Sequence, residues 1–200
     1  MRIVSVVFAA ILLMFGAFSA QAGEKEARAY VNKISTSVID IISNTGLETA
    51  EKEKKLVSLF EQSVDTKWIG RFVLGRYYTA ATPEQKKRYD DVYRDFLIRS
   101  YVPKFKEYKG ETFEMNEVRK DGKDEYMVKT NIVSPNEPSI RVDYRIRETG
   151  GSYRIIDIIS EGVSLITTQR SEFGSVVSRE GMDYLLDRLT ARVEQMKSGN

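Results

Sequence analysis

Neither cysteine nor histidine occurs anywhere in the 200 residues. The first absence excludes disulfide staples, thiol nucleophiles and attachment of a lipid through cysteine; the second removes the side chain that most often moves protons near neutral pH. Together they strip the chain of the common zinc and iron ligand sets. An excess of charge is missing too: 31 basic residues face 29 acidic ones, a formal net charge of +2, which argues against a nucleic-acid partner. No Gly-rich phosphate cradle occurs either, so nucleotide chemistry has no obvious seat here. Most enzyme classes are disfavoured, and the residues by themselves imply no metal and no cofactor.

The N-terminus carries one positive charge at Arg2, an apolar run from Ile3 to Phe18, and the small-residue pattern Ala20-Gln21-Ala22. This is the pattern of a secretory signal peptide over residues 1–22, the run being shorter than the ~20 apolar residues of a membrane span. Cleavage before Gly23 leaves a single domain, 23–200, large enough to bury a core without crosslinks. The expectation is an exported, soluble protein.

The order of elements along this domain is helices, strands, helices, which predicts an α+β fold. Tyr30, Ile34, Val38, Ile41 and Ile42 recur at three- and four-residue steps from Glu24 to about Ser43, giving a first amphipathic helix. A second spans Thr49 to Ser63. Asp65 then caps a short apolar helix that holds Trp68, Ile69, Phe72, Val73 and Leu74 and stops at Gly75. Thr82-Pro83-Glu84-Gln85 has the make-up of a capping box with proline at the first helical position, opening a long helix that Pro103 must break near Tyr101.

Four strands follow, at about Thr112–Val118, Glu125–Val133, Ile140–Glu148 and Ser152–Ser160, with turn residues between them. They predict a twisted four-stranded antiparallel sheet packed under the helices. Ile140, Val142, Tyr144 and Ile146 alternate with Arg141, Asp143, Arg145 and Arg147, so the third strand is expected to have one wet face. Its neighbour, Tyr153-Arg154-Ile155-Ile156-Asp157-Ile158-Ile159, is apolar on both faces, with Ile155 and Ile159 pointing one way and Ile156 and Ile158 the other. Two helices end the chain, the last carrying Leu185, Leu186, Leu189 and Val193.

Eleven tyrosines, six phenylalanines and one tryptophan follow residue 22, many of them on the inner stripe from Trp68 to Tyr108. Aromatics at helical spacing ordinarily form core. The tyrosine share points instead to a cavity wall, where a ring can be buried while its polar tip stays wet. Asp40, Asp65, Asp157 and Glu161 are the only carboxylates worth weighing for catalysis, and caps, turns or surface ion pairs account for each more cheaply. An enzyme on a cone-shaped scaffold and a chaperone for apolar segments remain open readings at this point.

Leu74-Gly75-Arg76-Tyr77-Tyr78 running on to Ala81–Gln85, and Asp157 to Ser164 continuing as Leu165-Ile166-Thr167-Thr168-Gln169-Arg170, resemble the MlaC family of Mla-type phospholipid carriers, also called toluene-tolerance or ABC-transport auxiliary proteins. Glu172-Phe173-Gly174 and Gly181 extend the likeness, while Pro103 departs from it. The resemblance implies a periplasmic shuttle related in part to the nuclear-transport-factor-2-like folds. It implies a glycerophospholipid held as cargo by its acyl tails, with no cofactor. The implied partners are an outer-membrane lipoprotein–porin complex and an inner-membrane ABC transporter with a ring of the mammalian-cell-entry class. Combining the helix stripe with one strand face gives the expected tail wall: Phe72, Val73, Phe96, Tyr101, Val128, Ile132, Val142, Tyr144, Ile158, Val163 and Ile166. Arg141, Arg145 and Arg147 are the expected contacts with partners or headgroups.

Overall fold

The computed structural model describes residues 3–135 and 137–199, with side chains from Gly23 onward except that of Glu107. The expected signal peptide, 1–22, lies outside the residues whose side chains are described. Among the described residues, no helix is long and apolar enough to cross a membrane.

The chain runs α1 (Ile3–Ser43), α2 (Thr49–Ser63), α3 (Thr66–Leu74), α4 (Arg76–Ala80), α5 (Pro83–Tyr101), a 3-10 helix (Val102–Glu107), β1 (Thr112–Lys120), β2 (Glu125–Val133), β3 (Ile140–Thr149), β4 (Ser152–Ser160), β5 (Val163–Ser164), α6 (Leu165–Glu180) and α7 (Met182–Ser198). The strands form one antiparallel meander in chain order. The sheet thus has five strands where the sequence predicts four. The fifth is two residues long, joined to β4 by a turn in which Glu161 (φ 48°) and Gly162 (φ 83°) both take positive φ. That pair of values suits a two-residue hairpin. The turn is tied down on both sides of Glu161, whose carboxylate accepts from the Arg141 N–H at 2.6 Å and whose own N–H donates to the Arg141 carbonyl at 3.0 Å.

Local chemistry explains the helix starts. Thr82 Oγ1 accepts from the Gln85 N–H while Gln85 Oε1 accepts from the Thr82 N–H, completing the predicted capping box. Asp65 accepts from the Trp68 N–H at 2.9 Å. Pro103 breaks α5 as expected, and the chain continues as the tighter 3-10 helix.

The interior is divided. One core lies among α3, α5, α6 and α7, and is built on Leu74, Tyr89, Tyr93, Leu97, Phe173 and Leu186. The other lies between α1 and the sheet, where Ala27 and Val31 cover Tyr126, Val128, Ile146 and Ile155. Val64, between α2 and α3, touches both. It forms a parallel bridge with Ile155, and the next N–H, that of Asp65, donates to the Ile155 carbonyl at 3.0 Å. The α2–α3 junction is therefore hydrogen-bonded to the outer side of β4, and the two cores meet there.

Candidate functional site

At that meeting line the structure leaves a narrow slot of about 40 Å³. From the helices come Phe60, Val64, Ile69, Leu97 and Tyr101; from β4, Ile155, Asp157 and Ile158; Leu165, Ile166 and Gln169 of α6 complete it. Two of its polar side chains already have partners. Asp157, 1 % exposed, accepts from the Ser164 hydroxyl at 2.7 Å and the Ile166 N–H at 3.3 Å. Gln169 Oε1 accepts from the Tyr93 hydroxyl at 2.5 Å. What faces the slot is almost wholly hydrocarbon.

A β-bulge sets the strand side of this site. Ile146 pairs with Ile155, but the preceding Arg145 pairs with Asp157, so Ile156 is the extra residue. The side-chain alternation shifts phase there. By register, Ile155 shares a face with Ile146, and Ile158 shares that same face with Tyr144. The expectation that Ile155 and Ile158 point to opposite faces is therefore corrected, and both line the slot. Ile156 is fully buried.

Burial also makes the nearby tyrosines harder to ionise. It pushes the Tyr93 hydroxyl far above its usual range, with Tyr101 and Asp157 adding to the effect, and it raises Tyr101 as well. Desolvation alone lifts Tyr144, on the sheet, to about 12. All three are neutral at physiological pH, as a hydrocarbon-lined site requires.

Of the residues expected on a tail wall, Tyr101, Ile158 and Ile166 line the slot. Phe72, Val73 and Phe96 belong to the helical core. Val128 and Tyr144 belong to the sheet core, while Val142 is buried outside both clusters and Ile132 is half-buried. Val163 is 57 % exposed on the two-residue β5 and does not line the slot. Periodicity places Phe60, Ile69 and Leu97 on inward stripes but assigns neither them nor Val64, Leu165 and Gln169 to the site, since a helix stripe does not tell which part of it meets a sheet edge. Ile155 was hidden by the bulge.

The expectation that the third strand has one wet face is also corrected. Arg141 grips Asp143, its Nε 3.0 Å and its terminal nitrogen 2.5 Å from the carboxylate, and Asp143 is only 2 % exposed. Arg145 Nε lies 3.3 Å from Asp121, at an angle that makes no hydrogen bond. Arg147 donates to Asp65 at 3.1 Å and lies over the Trp68 ring, 4.7 Å from its centre. The third strand's charged face is thus partly dry, and each of its arginines lies against a carboxylate of this chain, Arg141 with half of its side chain still exposed. Asp65 and Asp157 hold helix starts and Glu161 holds a turn, while Asp40 is exposed. Among the described residues, no three His, Cys, Asp or Glu side chains gather as a metal site would need.

Comparison with known proteins places this geometry in a lineage. A model of the MlaC protein family matches residues 32–191. The chain is 18 % identical over 136 residues to the intermembrane phospholipid transport system binding protein MlaC of Haemophilus influenzae, a stretch covering 66 % of this chain and 64 % of that protein. It is 23 % identical over 121 residues to the toluene tolerance protein ttg2D of Pseudomonas putida, covering 60 % and 56 % respectively. The matched stretches thus span less than two thirds of either relative. A phospholipid-binding protein from Ralstonia solanacearum, solved with a phospholipid bound, shares the fold with a TM-score of 0.74 at 24 % identity, over 84 % of this chain and 97 % of that one.

Proposed function

The chain belongs to the MlaC family, and from that premise we propose that it is a phospholipid carrier that holds acyl tails along the slot between its two cores. The observation that carries this reading is the divided interior, with an apolar slot between two separately packed halves. The names of its relatives, a binding protein of an intermembrane phospholipid transport system among them, support the cargo.

The energetics set what the carrier must do. Two acyl chains hold on the order of 30 methylenes, and leaving them in water costs about 25 kcal/mol at ~0.8 kcal/mol each. No single domain's net stability matches that, so shelter has to be nearly complete. A slot of about 40 Å³ is far too small; an engineered cavity that takes one benzene measures about 150 Å³. Loading therefore requires the helical core and the sheet core to separate, the tails replacing contacts across the slot. The α2–α3 junction at Val64 and Asp65, bonded to β4, serves as the line about which they part. The charged headgroup stays in water and needs few dedicated contacts.

Moving a lipid from a bilayer into such a site exchanges one hydrocarbon surrounding for another, so the step is close to neutral in free energy. Direction then comes from partners. In this reading residues 1–22 direct export to the periplasm, 23–200 form the carrier domain, and lipid passes between an outer-membrane lipoprotein–porin complex and the ring of an inner-membrane ABC transporter. Val163, exposed beside the slot's α6 side, and the exposed part of Arg141 lie on surface that such partners can reach.

Native mass spectrometry of freshly purified protein tests the proposal. One phospholipid per chain is expected, lost or strongly reduced in Ile158→Gln and Ile166→Gln while both variants remain folded. A lipid-free parent protein, or full lipid content in both variants, would contradict it.

A further inference from the structure

On the far side of α5 from the slot, a second depression of about 550 Å³ opens among α2, α5, the 3-10 helix and the end of α7. Its floor includes Val57, Ile98, Val102, Pro103 and Met196. Arg94, Arg99 and Arg192 border it, with Glu53 and Asp95.

Among the described residues the charges there are not balanced. Glu53 is bound to Lys106 at 3.0 Å, and Asp95 to Arg94 at 2.9 Å. Arg94 is occupied further by Glu61. That leaves Arg99, which makes no ion pair among the described residues, and Arg192, whose guanidinium donates only to the neutral Gln195 Oε1 at 2.9 Å. Two guanidinium groups without carboxylate partners beside an apolar floor call for an anion that carries hydrocarbon. Size narrows the class. The volume lies within the range of small-molecule sites. With a methylene taking roughly the space of a water molecule, about 30 Å³, one chain of about 15 carbons needs roughly 450 Å³ and two chains need twice that. The groove offers room for one such chain.

We propose that this groove is a second binding site, for a single-chain anionic amphiphile: the chain lies on Ile98, Val102, Pro103 and Met196, and its carboxylate or phosphate head meets Arg99 and Arg192. The inference does not depend on what the slot holds.

Calorimetric titration of the purified protein with dodecyl phosphate and with dodecanoate, each below its micellar concentration, tests it, with inorganic phosphate and dodecanol as controls. The expected result is one amphiphile per chain, with at least tenfold weaker binding in Arg99→Glu/Arg192→Glu and near-parent binding in Arg99→Lys/Arg192→Lys. Both controls should bind more weakly than the better amphiphile, and comparison of the two probes identifies the preferred head. Thermal unfolding of both variants checks that they are folded, and mass spectrometry of the same samples follows any phospholipid that co-purifies. No binding of either probe, equal binding to the charge-reversed variant, or one-for-one displacement of the co-purified phospholipid would overturn the proposal. A parent protein without phospholipid would count against the carrier reading, yet the contrast between parent and variants would still decide the groove.

Discussion

The helical core is drawn from four helices, and its deepest tyrosines find partners within it: Tyr89 donates to the Gly70 carbonyl at 3.3 Å, Tyr93 to Gln169, and their rings stack at 5.1 Å. The sheet core is covered mainly by α1 and leaves Phe113, Tyr144 and Ile158 half-buried. Both are apolar and both are ringed by half-buried hydrophobics, Phe72, Phe96 and Tyr101 among those of the helical core, but the fully buried layer is the larger in the helical core. The contrast suggests a division of labour, in which the deep layer of the helical core supplies stability, while the sheet side and the helix residues that face it across the slot supply surface that can change partners from protein to lipid.

Alkaline titration should produce the largest effect, because buried tyrosines in both cores resist ionisation. Tyr89 and Tyr93 ionise far more reluctantly in the folded chain than in the unfolded one. Their contribution is fully present below the unfolded value near 10 and is lost as pH rises above it. The loss is about 1.4 kcal/mol per pH unit for each tyrosine that stays neutral only when folded. Denaturant unfolding at pH 9, 10 and 11 should show stability falling steeply over the last step. Tyr144 stops contributing to that slope near pH 12, where it ionises in the folded state as well. A flat profile would mean that both cores open to water more readily than their geometry implies.

Leu186→Ala comes next. The side chain is fully buried in the helical core, and truncation should cost about 3 kcal/mol, read from the urea midpoint, with lipid content unchanged in the fraction that is folded. Ile158→Gln should do the reverse, losing lipid for a stability cost nearer 1 kcal/mol. If the two variants lost stability and lipid in parallel, the division of labour would fail.

Gly75→Ala addresses the join between α3 and α6. Gly75 holds φ 53° and ψ −121°, and a Cβ there would come within 2.8 Å of the Arg170 guanidinium, which lies over the Phe72 ring and donates to the Phe72 carbonyl. Strain and displacement of Arg170 together should cost about 2 kcal/mol in denaturant unfolding. Thr82→Ala, which removes only a cap of α5, should cost about 1 kcal/mol and leave lipid content untouched.

How far the sequence was legible follows from which forces act locally. Thr82 to Gln85, Asp65 and the hairpin strands were readable because caps, turns and alternation depend on a few neighbouring residues. The five-strand count was missed because β5 exists only through the Glu161–Gly162 turn, and two residues carry no periodic signal. Tyr101, Ile158 and Ile166 were named for the site, but Ile155 was placed on the wrong face because a bulge cannot be seen in an apolar run. Arg141, Arg145 and Arg147 looked free because their partners Asp121 and Asp65 come from outside the strand, and because Asp143, two residues from Arg141, seemed only part of an alternating wet face. Long-range pairing of this kind leaves no mark in local spacing.

The most direct test of where the tails lie is photo-crosslinking with a phospholipid that carries a diazirine at mid-chain, followed by mapping of the modified peptides. The account predicts attachment to residues 155–169 together with the α2–α3 junction around Phe60 and Val64. Attachment confined to residues 94–103 and 192–199, or to the outer faces of β1, would contradict it.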